Sequence, residues 1–177
     1  MKKILLTSTG FENENIKNTF LELLNKKPEE VKILFIITAA NDPDAVRILS
    51  KCLDDLTICG IPDENIAIYD MHKPIELNQY DAIYVCGGST EHLVERMNEI
   101  NFKQTIDKYI EQGGIYIGVS AGSVAASGKY NCLNFIENIL DVHCEQGSKN
   151  GIINTNENIN LTNNQAILIT DKKIIFE

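Results

Sequence analysis

Two kinds of segment alternate along the chain: short apolar runs, and stretches whose apolar residues recur every three or four positions. "KILLTS" is of the first kind and predicts a strand, while Asn13 to Leu24 is of the second, with Ile16, Phe20, Leu23 and Leu24 on one helical stripe. "VKILFIITAA" is apolar nearly throughout, as a strand covered on both faces should be. Asp42 can cap a helix opening at Pro43, with Val46, Leu49, Leu53 and Leu56 as its stripe and Gly60 and Pro62 as its stop. "NIAIYD" predicts a third strand, and "YDAIYVCGG" a fourth that Gly87-Gly88 breaks. Helices are expected from Thr90 and from Asn101 to Glu111, then a strand in "GGIYIGVS" and a further helix opening at Ala121.

Strands separated by helices imply βαβ units and a parallel sheet. Beyond Lys129 the pattern changes. A strand is expected from Ile139 to His143, a loop or weak edge structure in the Asn-rich segment Glu145 to Asn160, and a hairpin in "QAILITDKKIIFE" through Asp171-Lys172. The fold class predicted is α/β: a three-layer, doubly wound, mostly parallel sheet with helices on both faces and a C-terminal β-hairpin. With no repeat, low-complexity tract or linker in 177 residues, a single domain over 1–177 is expected.

Charge and composition narrow the partners. A net charge of −9 disfavours nucleic acid and anionic membranes, because phosphate is repelled. No stretch has the length of a membrane span, and "MKKILLTSTG" lacks the apolar run of a leader, so a cytoplasmic protein is expected. Cys52, Cys59, Cys86, Cys132 and Cys144 are odd in number and form no CxxC pair, which favours small buried hydrophobes over disulfides or metal ligands. No metal or cofactor is expected.

The candidate chemistry lies in "GVSAGS", residues 118 to 123, a GxSxG pattern between strand and helix. Read as a nucleophile elbow, Gly118 and Gly122 permit a sharp turn that lifts Ser120 above the sheet's carboxyl edge, beside free N–H groups of a helix start. The plainer alternative is a glycine-rich strand–helix turn. Gly87-Gly88-Ser89-Thr90 also ends a strand, so an N–H at 87 or 88 can join that of Ala121 in an oxyanion hole; equally, Ser89 or Thr90 can simply cap a helix. A serine nucleophile needs a base. Of the three histidines, His72 lies in a loop and His92 inside a helix, whereas His143 ends a predicted strand and is the candidate base. Glu145 or Glu91 can orient it, and Cys144 is a weak rival nucleophile without an elbow. Lys129 is the basic residue near the nucleophile in sequence that could read a substrate carboxylate, or else a solvated loop lysine.

These pieces resemble the peptidase E (aspartyl dipeptidase) family of serine peptidases, which has a class I glutamine amidotransferase-like fold. The likeness runs through "YVCGGSTEHLVERM", "GGIYIGVSAGS", "NCLNFIENILDVHC" and "LTNNQAILIT", nearly end to end. It implies Ser120 as nucleophile, Gly88 and Ala121 as oxyanion donors, and hydrolysis of a small peptide substrate through an acyl-enzyme. A homodimer is the candidate assembly.

The departures are specific. Ser89 stands where the family carries Asn, and Asn131 where it places an Asp. "EQGSKNG" occupies the region of the family's usual catalytic histidine, with Ser148 or nothing in its place, and the helix that normally follows is missing. His143 matches an earlier histidine of the family, and Asn131 can hold an imidazole but cannot stabilise an imidazolium. The alternative function is therefore a catalytically degenerate member that binds a small molecule or peptide. A glutamine amidotransferase is disfavoured because the elbow holds serine, not cysteine.

Overall fold

The computed structural model describes residues 1–43 and 45–177. Its core is an eight-stranded sheet in the order β3-β2-β4-β5-β1-β9-β10-β7. The strands β1 (Lys3–Thr7), β2 (Ile33–Ile36), β3 (Ile66–Tyr69), β4 (Ala82–Val85) and β5 (Ile115–Val119) are parallel. Strands β9 (Ala166–Ile169), β10 (Lys173–Phe176) and the short β7 (Gly151–Ile152) continue the sheet in antiparallel fashion. Strands β6 (Leu140–Asp141) and β8 (Ile159–Asn160) form a separate parallel pair.

Every residue of β2, β4 and β5 is buried, because both faces of the sheet are covered. Helices α1 (Glu14–Leu24) and α2 (Ala45–Ile58) pack on one face through Phe20, Leu23, Cys52 and Leu56, against Phe35, Tyr84 and Ile117. On the other face lie α3 (Thr90–Glu99), α4 (Phe102–Glu111) and the five-residue α5 (Ala121–Ala125), whose Leu93, Met97, Ile106 and Ala125 meet Leu6, Val85 and Tyr116. This is the expected three-layer α/β architecture, and Thr170 N–H to the Lys172 carbonyl closes the expected C-terminal hairpin. Among the described residues, no helix is long and apolar enough to cross a membrane.

The caps follow from local chemistry. Asn13 accepts from Ile16 N–H at the start of α1, and Ser89 does the same for His92 N–H at α3. Asp42 accepts from Ala45 N–H; the expected helical start at Pro43 runs through Asp44, which lies outside the described residues. Gly60, at φ 83°, ends the turn after α2.

Two expectations are corrected. Of the expected α2 stripe, Leu56 is buried and Leu49 and Leu53 pack half-buried against the core, but Val46 is 68% exposed, and Ala45, Cys52 and Asp55 turn inward as well. A charged residue faces inward there because Asp55 Oδ2 accepts from Tyr84 OH at 2.7 Å and from Phe11 N–H at 3.0 Å. The strand expected from Ile139 to His143 shortens to Leu140–Asp141, since His143 takes a left-handed conformation (φ 58°) that no ladder accommodates.

Burial raises the Asp55 carboxyl above its usual range, against the opposing effect of its two hydrogen bonds. A carboxyl whose folded value exceeds its unfolded one favours the folded state at low pH, and that contribution is lost as pH rises through the folded value. Asparagine at 55 keeps an acceptor for both donors without the charge. Asp55→Asn is therefore expected to be more stable than the native chain at neutral pH, with the difference shrinking towards about pH 4. Urea denaturation across that range measures it; a difference independent of pH contradicts the account.

Candidate active site

The carboxyl ends of β1, β4 and β5 open into a cleft of about 220 Å³, lined by Ser8, Thr9, Gly87, Gly88, Val119, Ser120 and His143, with Ile48, Lys51 and Cys52 from α2. Crevices at this edge are the usual ligand sites of open α/β sheets. A hollow of about 510 Å³ lies by Met1 and Lys2, at the amino-terminal end of β1, and contains none of these groups.

Ser120 sits between β5 and α5 with φ 49° and ψ −106°, a conformation costly for any residue with a Cβ. Its surroundings hold it there. Its N–H donates to the Thr7 carbonyl at 3.0 Å, and its own carbonyl accepts from Ser123 and Val124 N–H. Ser123 Oγ, fully buried, lies 2.8 Å from the Thr7 carbonyl and 2.7 Å from that of Gly118. The two flanking glycines are required by close approach: a Cβ on Gly118 would lie 2.7 Å from the Gly122 carbonyl carbon, and one on Gly122 2.5 Å from the Val85 carbonyl oxygen.

Ser120 Oγ lies 2.9 Å from His143 Nε2, and His143 Nδ1 lies 3.0 Å from Asn163 Oδ1. The left-handed backbone of His143 is pinned by its N–H donating to Ser8 Oγ at 2.8 Å. On the opposite wall Gly88, at φ 135°, tucks its Cα so close to Ala39 that a Cβ would come within 2.1 Å of that carbonyl. The N–H groups of Gly88 and Ala121 have no hydrogen-bond partner among the described residues.

The structure thus brings together Ser120, His143 and the Gly87-Gly88 turn. It does not bring the other candidates to the imidazole. Asn131 lies in the loop after α5, its side-chain oxygen accepting from Asn134; Glu145 is solvent-exposed; Glu91 accepts from Tyr130 OH. Lys129 pairs with Asp141 at 2.6 Å and is absent from the cleft wall. Ser148 ties its loop to Asn160 through backbone and side chain. His72 packs near Tyr69, and His92 lies within α3. Cys144 is half-buried with its thiol on the Val142 carbonyl.

Two residues escaped the sequence reading: Asn163, on the imidazole, and Lys51, the cleft's cation, which pairs with Glu12. A third group, the thiol of Cys52, lines the cleft but is only 2% exposed; a hydrogen bond from Cys86 is the main influence lowering its titration.

A doubly wound α/β fold with a serine on a strained strand–helix turn and an imidazole on its hydroxyl defines a class of hydrolase-like proteins. Within that class, residues 4–147 match the profile of peptidase family S51, and the chain belongs to that family. The fold is similar to that of a candidate peptidase E from Listeria monocytogenes EGD-e, with TM-score 0.77, 21% identity, and coverage of 100% of this chain and 98% of that one. It is also similar to a peptidase from an acI-B1 Actinobacterium, with TM-score 0.69, 16% identity, and coverage of 99% and 87%. A 6,7-dimethyl-8-ribityllumazine synthase of Thermotoga petrophila is 36% identical over 41% of this chain and 52% of its own length, so the chain spans about half of that curated relative.

The strain at Ser120 is measurable. Ser120→Gly relieves a cost of about 1–3 kcal/mol against a glycine penalty of about 0.5–1 kcal/mol, and is expected to stabilise the fold by about 1 kcal/mol. Ser120→Ala keeps the Cβ and is expected to give no such gain. Urea denaturation of both variants separates backbone strain from loss of the hydroxyl.

Proposed function

We propose that the protein is a serine peptidase of the peptidase E type that hydrolyses small peptides through an acyl-enzyme on Ser120. The observation that carries this reading is the 2.9 Å contact between Ser120 Oγ and His143 Nε2 at the mouth of the cleft. In the proposed cycle the turn is a nucleophile elbow. His143 Nε2 takes the hydroxyl proton as Oγ attacks the scissile carbonyl, and the N–H groups of Gly88 and Ala121 receive the charge on the carbonyl oxygen. Collapse breaks the C–N bond, His143 returns the proton to the departing amine, and water, activated by the same imidazole, cleaves the ester. The degenerate reading rests on Asn131, Ser148 and the shortened C-terminal region; an imidazole 2.9 Å from Ser120 Oγ favours the catalytic reading over it.

A cleft of about 220 Å³ is small for a ligand pocket, which suits a short peptide with only part of it enclosed. Lys51 supplies a positive charge on its α2 wall, held by Glu12 when no substrate is present. In this reading a substrate carboxylate takes the place of Glu12.

A fluorophosphonate should label Ser120, and peptide mass mapping after digestion should find the adduct there. Ser120→Ala should abolish the labelling and lower peptide hydrolysis about a thousandfold or more. Absence of an adduct on a folded native chain overturns the reading. Lys51→Met should raise KM for carboxylate-bearing peptides by about tenfold with kcat little changed; steady-state kinetics on charged and amidated substrate pairs provides the check.

A further inference from the structure

Asp55 is a buried carboxyl that the proposed cycle does not use. It lies on α2 one turn beyond Lys51 and Cys52 of the cleft wall. Its Oδ2 accepts from Phe11 N–H at 3.0 Å and from Tyr84 OH at 2.7 Å. Gly10, at φ 94°, packs against the same oxygen, so closely that a Cβ there would lie 2.1 Å from it. Gly10 N–H in turn donates to Thr7 Oγ1 at 3.0 Å. Ser8 and Thr9 are therefore a two-residue span between fixed points: Thr7 at the end of β1, and Gly10-Phe11 on Asp55. That span tethers the cleft. Ser8 Oγ accepts from His143 N–H at 2.8 Å, and Thr9 Oγ1 donates to the Asn163 carbonyl at 2.7 Å. The Phe11 ring stacks on Phe20 at 4.8 Å and meets Tyr84 edge-on at 5.9 Å, so its side chain is held along with its backbone.

We propose that Asp55 is a positioning residue of the site: acting through Phe11 N–H and Gly10, it sets where Ser8 and Thr9 stand, and so where the His143 backbone is held beside Ser120. This rests on the serine-peptidase reading of the cleft. Asp55 joins three parts of the cleft's surroundings. It belongs to α2, Tyr84 ties it to β4, whose continuation is the Gly87-Gly88 turn, and Phe11 ties it to the segment after β1. Burial raises the carboxyl above its usual range, so its retention works against folding at neutral pH. An apolar residue would remove that cost but leave Phe11 N–H without the acceptor that it uses. Both donors are neutral and share one oxygen, so the site draws on an acceptor at a fixed reach and not on the charge.

The test is the rate at which a fluorophosphonate labels Ser120 in the full chain, with the folding of each variant checked by urea denaturation. Asp55→Asn keeps the acceptor and is expected to label within about twofold of the native rate. Asp55→Ala is expected to label about tenfold more slowly while folded, because a base held out of place loses rate steeply. Asp55→Glu keeps charge and acceptors but carries them one methylene further, against Gly10, and is expected to be slowed to a similar degree. Tyr84→Phe leaves Phe11 its acceptor and should label at the native rate. A merely structural role would lower the stability of Asp55→Ala without slowing the folded protein. If Asp55→Ala does not fold, Asp55→Glu against Asp55→Asn decides the question. A native rate in folded Asp55→Ala or in Asp55→Glu overturns the proposal, as does Asp55→Asn slowed as much as either, or Tyr84→Phe slowed with them; each leaves Ser120 as nucleophile. A native chain that takes no label overturns both readings.

Discussion

The hydrogen bond from Ser120 N–H to the Thr7 carbonyl is the contact on which the site depends. It joins the carboxyl ends of β1 and β5 just past the last paired residues, Thr7 and Val119. The Thr7 carbonyl also receives Ser123 Oγ, so a single acceptor fixes both the strained residue and the first turn of α5. The Thr7 side chain completes the junction, donating to the Gly118 carbonyl and accepting from Gly10 N–H. With that junction closed, Ser8 and Thr9 lie alongside Ser120, where the first holds the His143 backbone and the second the Asn163 carbonyl.

The strain at Ser120 is bearable because the surrounding sheet over-determines it. The flanking strand β4 is fully buried and β1 is buried from Ile4 to Thr7, and the glycines at 118 and 122 let α5 lie against β4 and β5 at distances no Cβ permits. A five-residue helix has little stability of its own. Here its carbonyls and hydroxyls are anchored instead by Tyr116 OH on the Gly122 carbonyl and by the buried Ser123. Packing energy from the central strands is thus converted into the orientation of one hydroxyl.

Legibility in the sequence tracks the range of each interaction. The layer order, the caps at Asn13 and Ser89, and the turn at Ser120 are all encoded within a few residues, and the strand and helix periods carry them. One part of the inward face of α2 was not legible: Asp55 looks like a solvent-facing residue until Tyr84, 29 positions away, is known to meet it. Asn163 is one amide in the Asn-rich stretch "LTNNQ", and its partner lies 20 positions earlier. One signal did exist. The terminal hairpin predicts a strand at Ala166–Ile169, and if that strand runs antiparallel to β1, its amino end must lie at the carboxyl edge of the sheet. The observed pairing of Thr7 with Ala166 is that arrangement, and it carries residue 163 to the cleft. Asn131, chosen for its place in a family pattern, had no such topological reason to arrive there.

The site is therefore built from parts of unequal rigidity. Ser120 and the Gly87-Gly88 turn are fixed by buried strands, so changes there act on folding and chemistry together. His143 and Asn163 are solvent-exposed and come from segments outside the parallel core, held to it by the hydroxyls of Ser8 and Thr9. Loss of such a tether costs little burial, because almost no apolar surface is released. It does, however, free an imidazole that must stay within hydrogen-bond reach of serine, and general-base catalysis falls steeply with misplacement. In this fold Ser120 is secured by hydrophobic packing and His143 by a few polar contacts, so on the proposed reading substitutions in the loops act mainly on rate and substitutions in the strands mainly on stability.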